Sequence, residues 1–217
     1  MKLNYKNIFM TLIIIPALIL VPLQNTAEAN GPALLKLGSS NGDVWDLQYR
    51  LTQLNYNVTI DGKYGYQTYN AVKRFQKNYG LLNDGIVGPN TWKVLKKHSL
   101  SLEEFKLLTR LVYSESRGEP YEGQVAVAAV VLNRIDSNQF PNSVRSVIFQ
   151  ERAFTAVDDG QFWLNPNQTA EKAALDAIRG WDPAKGALYY FNPDTATSSW
   201  IWSRPQIKKI GKHIFAT

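Results

Sequence analysis

The 217-residue sequence contains no cysteine and only two histidines. The absence of thiols excludes a cysteine nucleophile, a thiolate metal site and a disulfide framework. His98 and His213 are far apart in the sequence, so the cluster of ligands that a zinc amidase needs is not expected. No nucleophile-elbow motif accompanies His213, which argues against a Ser-His-Asp enzyme. We therefore predict neither a metal nor an organic cofactor.

The sequence has one long apolar run, at residues 8–23, and two prolines interrupt it. Lys2 and Lys6 precede the run, and the small-x-small pattern Ala27-Glu28-Ala29 follows it. A membrane-spanning helix needs roughly 20 apolar residues, which is more than this run supplies. We therefore interpret residues 1–29 as a cleaved secretory signal peptide, which leaves no stable membrane span and implies export.

A short motif occurs twice, 23 residues apart, as Asp61–Thr68 and Asp84–Thr91, and both copies read DGxxGxxT. The motif predicts a tight Asx-Gly turn whose second glycine permits positive φ, followed by a threonine that caps the next helix. Apolar spacing around the two turns predicts helices at about 43–54, 68–79 and 90–96. The apolar spacing alone is consistent with a compact three-helix bundle that binds no ligand.

Residues 35–97 resemble the three-helix peptidoglycan-binding domain of exported wall enzymes. The doubled DG turn, Phe75-Gln76 and Thr91-Trp92 carry the resemblance. It implies a domain over residues 34–98 that holds glycan chains in a shallow groove between the turns. Tyr64 and Tyr66 become candidate saccharide contacts because aromatic rings stack on sugar faces, although a place in the core is an equal alternative.

The positive charge of the chain is concentrated in this first region. Residues 34–98 contain 9 basic and 4 acidic side chains, whereas residues 99–217 contain 13 of each. Given the resemblance, the excess indicates attachment to an anionic cell wall rather than to nucleic acid.

A second region begins at Ser101, where Ser101 and Glu104 predict a capping box at the start of a helix. The apolar stripe of this helix runs through Phe105, Leu108 and Val112 and, continued at helical spacing, reaches Glu115. One interpretation is a Glu that bends into solvent or pairs with the nearby Arg117. The other is a buried carboxyl kept protonated near neutral pH as a general acid.

The remaining chain supplies a central helix and an aromatic end. Residues 125–132 are apolar on every side of a helical wheel, which predicts a helix in the middle of a domain. Asn167 or Thr169 caps a further helix that ends at Gly180. Residues 181–217 are rich in aromatic and turn residues, and this pattern predicts loops or a short β hairpin that lines a carbohydrate cleft.

Three segments resemble the catalytic domain of the germination-associated cell-wall hydrolases, the family that degrades the spore cortex. They read VYSESRGEPYEGQVAVAAVVLNRI, VIFQERAFTAVDDGQFW and GALYYFNPDTATSSWIWSRPQIKKIGKHIF, and the resemblance covers residues 102–215. It implies a mainly α chain overall, with a lysozyme-like α+β catalytic domain at 101–217. The implied activity is a lytic transglycosylase that cleaves cortex peptidoglycan during germination and leaves 1,6-anhydro-muramic ends.

By the same resemblance, Glu115 is the catalytic residue, within the element Tyr-x-Glu-x-Arg-Gly-Glu. Ser114 and Ser116 stand where members often have Gly and Ala, a small change beside the carboxylate. The candidates for substrate contact share polar or aromatic character; they are Thr155, Tyr189, Tyr190, Asn192 and Trp200. For each of them a place in a turn or in the core is the alternative.

Several functional alternatives stay open at this point. A second carboxylate from Glu119, Glu122, Asp158 or Asp159 would allow a lysozyme-type muramidase. An N-acetylmuramoyl-L-alanine amidase and a non-catalytic wall-binding protein are the other classes. The expected partner is spore cortex peptidoglycan, with an accessory or inhibitory spore protein as a further possibility, and the expected location is the spore envelope outside the inner membrane.

Overall fold

The computed structural model describes residues 34–217, which form a mainly helical chain with one small antiparallel sheet. The predicted signal peptide at residues 1–29 lies outside the described residues. The helices are α1 Gly42–Gln53, α2 Tyr66–Asn78, α3 Pro89–His98, α4 Leu102–Ser116, α5 Tyr121–Asp136, α6 Val144–Ile148, α7 Thr155–Asp158, α8 Gln168–Ile178 and α9 Ser199–Trp202. A short 3₁₀ helix spans Gln161–Trp163, and the strands are β1 Tyr189–Phe191, β2 Gln206–Ile210 and β3 His213–Ala216. No helix within residues 34–217 is long and apolar enough to cross a membrane.

Helices α1 to α3 enclose a hydrophobic core of their own, as the apolar spacing predicts. Each helix contributes buried side chains to this core: Leu47 and Leu51, Val72 and Phe75, and Trp92 and Leu95. Each of these sets lies at helical spacing, so one stripe of each helix faces the other two.

A buried glutamine from the preceding helix organises each DGxxGxxT turn. The side-chain amide of Gln48 donates to Asp61 Oδ1, to the Lys63 carbonyl and to Thr68 Oγ1, at 2.9–3.0 Å. Its oxygen accepts the backbone N–H groups of Asp61 and Gly62. In the second copy, Gln76 makes the same three donations, to Asp84, Ile86 and Thr91. The repeat is therefore a repeat of polar networks as well as of sequence.

This network corrects two predictions about the turns. The first glycine of each copy has positive φ, with Gly62 at 72° and Gly85 at 73°, whereas the second glycine, Gly65 or Gly88, is extended and caps a helix. Thr68 and Thr91 lie inside the helices and do not cap them, because their hydroxyl groups accept from the buried glutamines instead.

The second core surrounds α5, as its uniformly apolar sequence predicts. Val125, Ala128 and Val131 of α5 are fully buried and pack with side chains of α4, α6 and α8. Helix α4 begins at the predicted capping box, in which Ser101 and Glu104 bond reciprocally to each other's backbone. Asn167, one of the two predicted caps, accepts the N–H of Ala170 at the start of α8.

The carboxyl-terminal segment forms a three-stranded antiparallel sheet in the order β1-β3-β2. Strands β2 and β3 are the predicted hairpin, and β1 adds to its free edge. In this register Tyr190 lies opposite Phe215, which is fully buried. The sheet therefore places β1 beside the core that contains α4 and α5.

Candidate active site

Glu115 lies in the last turn of α4, on the side that continues the buried stripe of Leu108, Leu111 and Val112. Its side chain is half-buried, with one side against the domain core and one side open. The core thus fixes the helix, and the carboxylate lies at the edge of that core.

Both carboxylate oxygens of Glu115 are held by hydrogen-bond donors. Oε1 accepts the backbone N–H of Ala156 at 2.7 Å, and Oε2 accepts the hydroxyl of Tyr190 at 2.9 Å. The alternative partner Arg117 instead donates to Gln161 Oε1 at 2.6 Å and to the Ser114 carbonyl. Hydrogen bonds to a carboxylate are stronger than neutral ones, so two of them fix its orientation.

Tyr190 is held in place by a ring of aromatic side chains. Its ring centroid lies 5.1 Å from that of His213, 5.8 Å from that of Phe215 and 6.4 Å from that of Phe154. Burial, with the adjacent charge and hydrogen bond of Glu115, raises the pKa of Tyr190 well above its ordinary value. The phenol therefore stays protonated and remains a donor to Glu115.

Arg134 and Asn133, near the end of α5, hold the chain that leads into β1. Arg134 is 6% exposed, and its Nε donates to the Leu188 carbonyl at 2.8 Å. Asn133 donates to the Ala187 carbonyl and to Asp182 Oδ2, both at 3.1 Å. These hydrogen bonds hold the residues that lead into β1, from which Tyr190 reaches Glu115.

Arg134 also contributes a buried positive charge beside the site. Its guanidinium lies over the rings of Phe140, Phe154 and Tyr189, at 4.9–5.7 Å. Burial lowers the pKa of Arg134, and the neighbouring Tyr190, Tyr189 and Glu115 act in the opposite direction. The aromatic faces partly replace the solvation that this cation loses.

Glu115 opens into a cavity of about 380 Å³. Thr155 lies on one side of the cavity, and the segment after β1 lies on the other. The remaining lining residues come from that segment and from the sheet: Tyr190, Phe191, Asn192, Thr195, Ala196, Thr197, Ser198 and His213. Among these lining residues Glu115 is the one carboxylate.

The structure separates the predicted substrate contacts into two groups. Thr155, Tyr190 and Asn192 line the cavity with Glu115. Tyr189 and Trp200 are not among the lining residues and instead meet each other edge to face, 5.2 Å apart. Trp200 is 52% exposed, so its indole offers surface next to the segment that bounds the cavity.

The two tyrosines predicted for the first module also differ. Tyr64 is 1% exposed, and its hydroxyl donates to the Gly85 carbonyl at 2.8 Å. It belongs to the core and offers no ring face to a sugar, which is the alternative left open from the sequence. Tyr66 is 73% exposed at the start of α2 and remains a candidate contact.

The four other carboxylates considered from the sequence lie outside the cavity lining. Glu119 accepts the backbone N–H of Lys212, and Glu122 pairs with Lys208 at 2.6 Å. Asp159 accepts from Gln161, and Asp158 is exposed. Each has a place in a turn, an ion pair or a solvated loop.

Sequence reasoning missed His213 as a neighbour of Glu115, along with the backbone amide of Ala156. His213 lines the cavity, and its Nδ1 is shielded from solvent without a hydrogen-bond partner within residues 34–217. Burial lowers the pKa of His213, which favours the neutral imidazole. Strand pairing brings it beside Tyr190, and no local pattern in the sequence signals that pairing.

In the part of the chain that the structure describes, no three His, Asp or Glu side chains are grouped so as to hold a metal ion.

Comparison with known proteins gives two family matches. A profile described as Cell Wall Hydrolase matches residues 118–216, and one described as Putative peptidoglycan binding domain matches residues 40–95.

Among curated proteins, the spore cortex-lytic enzyme of Bacillus cereus is 47% identical, and the alignment covers 90% of each chain. The spore cortex-lytic enzyme of Oceanobacillus iheyensis is 41% identical over 98% of each chain. The chain belongs to the spore cortex-lytic enzyme family. The resemblance read from the sequence motifs is thereby confirmed.

A solved structure of the same cortex-lytic family resembles the second region. The crystal structure of the catalytic domain of the Bacillus cereus SleB protein is 68% identical, covers 55% of this chain and 93% of that chain, and has a TM-score of 0.53. The catalytic domain of the germination-specific lytic transglycosylase SleB from Bacillus anthracis gives 68% identity, 54% and 97% coverage and a TM-score of 0.52. The mainly helical class with a small sheet, predicted for this cortex-lytic chain, is confirmed.

Proposed function

We propose that this protein cleaves the glycosidic bond between N-acetylmuramic acid and N-acetylglucosamine in spore cortex peptidoglycan during germination, with Glu115 as the catalytic residue. The supporting observation is a single carboxylate, held by Tyr190 and the Ala156 amide, in a cavity whose other lining side chains are uncharged or aromatic. The names of the related enzymes give the substrate and the setting.

The proposed reaction is a lytic transglycosylation. Glu115 as acid gives its proton to the glycosidic oxygen, and the bond from muramic C1 to that oxygen breaks. Glu115 as base then takes the proton of the muramic C6 hydroxyl, whose oxygen bonds to C1 and closes the 1,6-anhydro ring. The proton count balances without water, and one carboxyl group serves both steps. A hydrolase that uses two carboxylates would need the second one about 5–10 Å from Glu115, which is the usual spacing in glycoside hydrolases.

Each region of the chain has its own proposed role. Residues 34–98 attach the enzyme to peptidoglycan, residues 101–217 cleave it, and residues 1–29 direct export to the spore envelope. Thr155, Tyr190 and Asn192 contact the reacting sugar inside the cavity, and Trp200 stacks on a sugar beyond it. An accessory or inhibitory spore protein is a further expected partner.

Mass analysis of a digest of purified cortex tests the reaction type. Anhydro-muramic ends are the expected product. Reducing muramic ends would overturn the transglycosylase step in favour of a muramidase, and free peptides would indicate an amidase. Cortex that binds the protein but releases no fragments would make it a wall-binding protein.

Tyr190→Phe is expected to lower the rate of cortex cleavage about 10- to 100-fold, because it removes a hydrogen bond that orients the Glu115 carboxyl group while the ring stays packed. The measurement is the initial rate of fragment release, with the melting temperature as a check on folding. Tyr121→Phe is the matched control, because Tyr121 donates to a different carboxylate, Asp176, at 2.6 Å. Equal losses in the two variants would contradict a specific role for Tyr190.

A further inference from the structure

The first module and the second are joined by a short connection that buried hydrogen bonds hold in place. Gln53 at the end of α1 donates to the Leu100 carbonyl and accepts the Leu100 N–H, at 2.6 and 3.0 Å. Arg50 donates to the Ser99 carbonyl at 2.9 Å, and Arg179 at the end of α8 donates to the Gln53 carbonyl at 2.8 Å. These hydrogen bonds connect α1 with the residues that join the modules and with α8.

A groove lies between the modules, with a volume of about 1000 Å³, and we call it the inter-module groove. One wall is the last two turns of α3, with Lys93, Lys96 and Lys97. The opposite walls come from the start of α4 and α6 and from the ends of α5 and α8. It shares no residue with the cavity of Glu115, and Glu103 and Glu115 are separated by 12 residues of α4, or about 18 Å at the usual helical rise.

Most of the charged groups around the inter-module groove are already paired. Arg50 pairs with Asp46 at 2.8 Å, and Arg145 pairs with Glu103 at 3.1 Å. Glu104 is used in the capping box of α4.

Asp182 is used as well, since it accepts from Asn133 and from two backbone N–H groups. These partners leave the lysines of α3 as the main source of charge available to a ligand.

The lysines of α3 are the charged lining groups that these pairs leave available to a ligand. Within residues 34–217, Lys93 and Lys97 make no hydrogen bond or ion pair, and Lys96 lies over the Trp92 ring. Opposite them Asp136 makes no hydrogen bond or ion pair within the same residues. Burial and the charge of Lys97 lower the pKa of His98, whereas Asp136 raises it, so these groups share one end of the groove. Three lysines and one carboxylate, Asp136, are therefore the charged lining groups that no ion pair or hydrogen bond within residues 34–217 occupies.

The neutral part of the lining indicates a peptide rather than a sugar. The described residues that line the groove include no Phe, Tyr or Trp, the side chains that stack on sugar rings. Instead the lining offers aliphatic groups and the side-chain amide of Asn142, which suit small methyl-bearing residues and peptide bonds; the aliphatic residues are Leu107, Leu132, Ile135 and Val144. A short peptide with several carboxylates and one amine matches both the charge and the surface.

We propose that the inter-module groove binds the carboxylate-bearing stem peptide of peptidoglycan, as a site separate from the cavity of Glu115. This inference rests on the proposed function for the nature of the polymer, and it deepens that function by adding a peptide contact. The peptide occupies the groove through its carboxylates on the lysines of α3 and its free amine near Asp136.

The test uses the full-length protein with Glu115→Gln, so that ligands are not cut, and measures binding by calorimetry. The probes are a stem tetrapeptide acetylated at its N-terminus, called the free peptide because its carboxylates are free, the same peptide with its carboxylates amidated, and a reduced disaccharide without peptide. Lys93→Gln with Lys97→Gln is expected to weaken binding of the free peptide about tenfold, because each substitution removes one exposed ion pair with a peptide carboxylate. Without the lysine substitutions, the protein is expected to bind the amidated peptide no more tightly than the lysine double variant binds the free peptide.

Lys36→Gln with Lys77→Gln removes the same charge from the same module outside the groove lining and serves as the control. Equal weakening by both pairs would show nonspecific charge attraction and overturn the site, as would no binding of the free peptide. Tighter binding of the bare disaccharide, lost in the groove variant, would reassign the groove to glycan. Product analysis of the cortex digest is independent of these outcomes, so failure of the groove and failure of the proposed reaction can be told apart.

Discussion

Glu115→Gln is expected to reduce release of cortex fragments by about 10²–10⁴-fold, the usual contribution of general acid–base catalysis. The amide has nearly the same shape as the carboxyl, but it neither gives nor takes a proton at the pH of germination. Both proposed steps need that transfer, so neither acid nor base catalysis remains. Binding to intact cortex is expected to persist, because the first module is unchanged.

The matched control is Glu122→Gln, which alters a half-exposed glutamate that pairs with Lys208 outside the cavity. This variant is expected to retain cleavage, since exposed ion pairs contribute about 0–1 kcal/mol to stability. Undiminished lysis by Glu115→Gln would remove the assigned role. Loss of both lysis and cortex binding would point instead to damage to the fold, which circular dichroism detects.

The largest expected effect on stability comes from Gln76→Leu in the first module. Gln76 is 1% exposed, and its amide group satisfies Asp84, Ile86 and Thr91 while accepting from the Gly85 N–H. Leucine fills a similar volume but leaves the Gly85 N–H and the Thr91 hydroxyl buried without this partner, whereas Asp84 and Ile86 are exposed to solvent. Since each unpaired group costs about 1–3 kcal/mol, we expect a loss of about 3 kcal/mol or more.

Thermal unfolding and hydrogen exchange of the second turn measure this loss. The amide of Gly85 is expected to exchange much faster in the variant, because its acceptor is gone. Gln67→Leu is the control, because Gln67 is exposed and accepts one backbone N–H, that of Thr59. A melting temperature for Gln76→Leu equal to that of the control would show that the turns are held by backbone geometry alone.

Local patterns were sufficient to predict much of this fold. The capping box at Ser101 depends on four consecutive residues, and the burial of α5 follows from eight successive apolar residues. The placement of Glu115 follows from one helical stripe. In each case the interacting groups are close in sequence, so spacing alone carries the information.

The features that the sequence does not predict depend on contacts between distant segments. The sequence predicts the repeat threonines as caps and misses their glutamine partners, because Gln48 lies 20 residues before Thr68 and no rule of spacing links the two. Tyr189 and Tyr190 were equivalent in the sequence, and only the register of β1 against β3 decides that Tyr190 reaches Glu115. His213 enters the site through the same strand pairing.

The two donors to Glu115 have a consequence for the order in which the enzyme becomes active. They come from positions 41 and 75 residues downstream of the carboxylate, and the second is carried by a strand held through the last residues of the chain. Helix α4 can form from local sequence while the ribosome is still adding that strand. A chain that lacks β3 thus contains Glu115 without its hydrogen bond from Tyr190, and the proposed acid is oriented only once β1 has paired with β3.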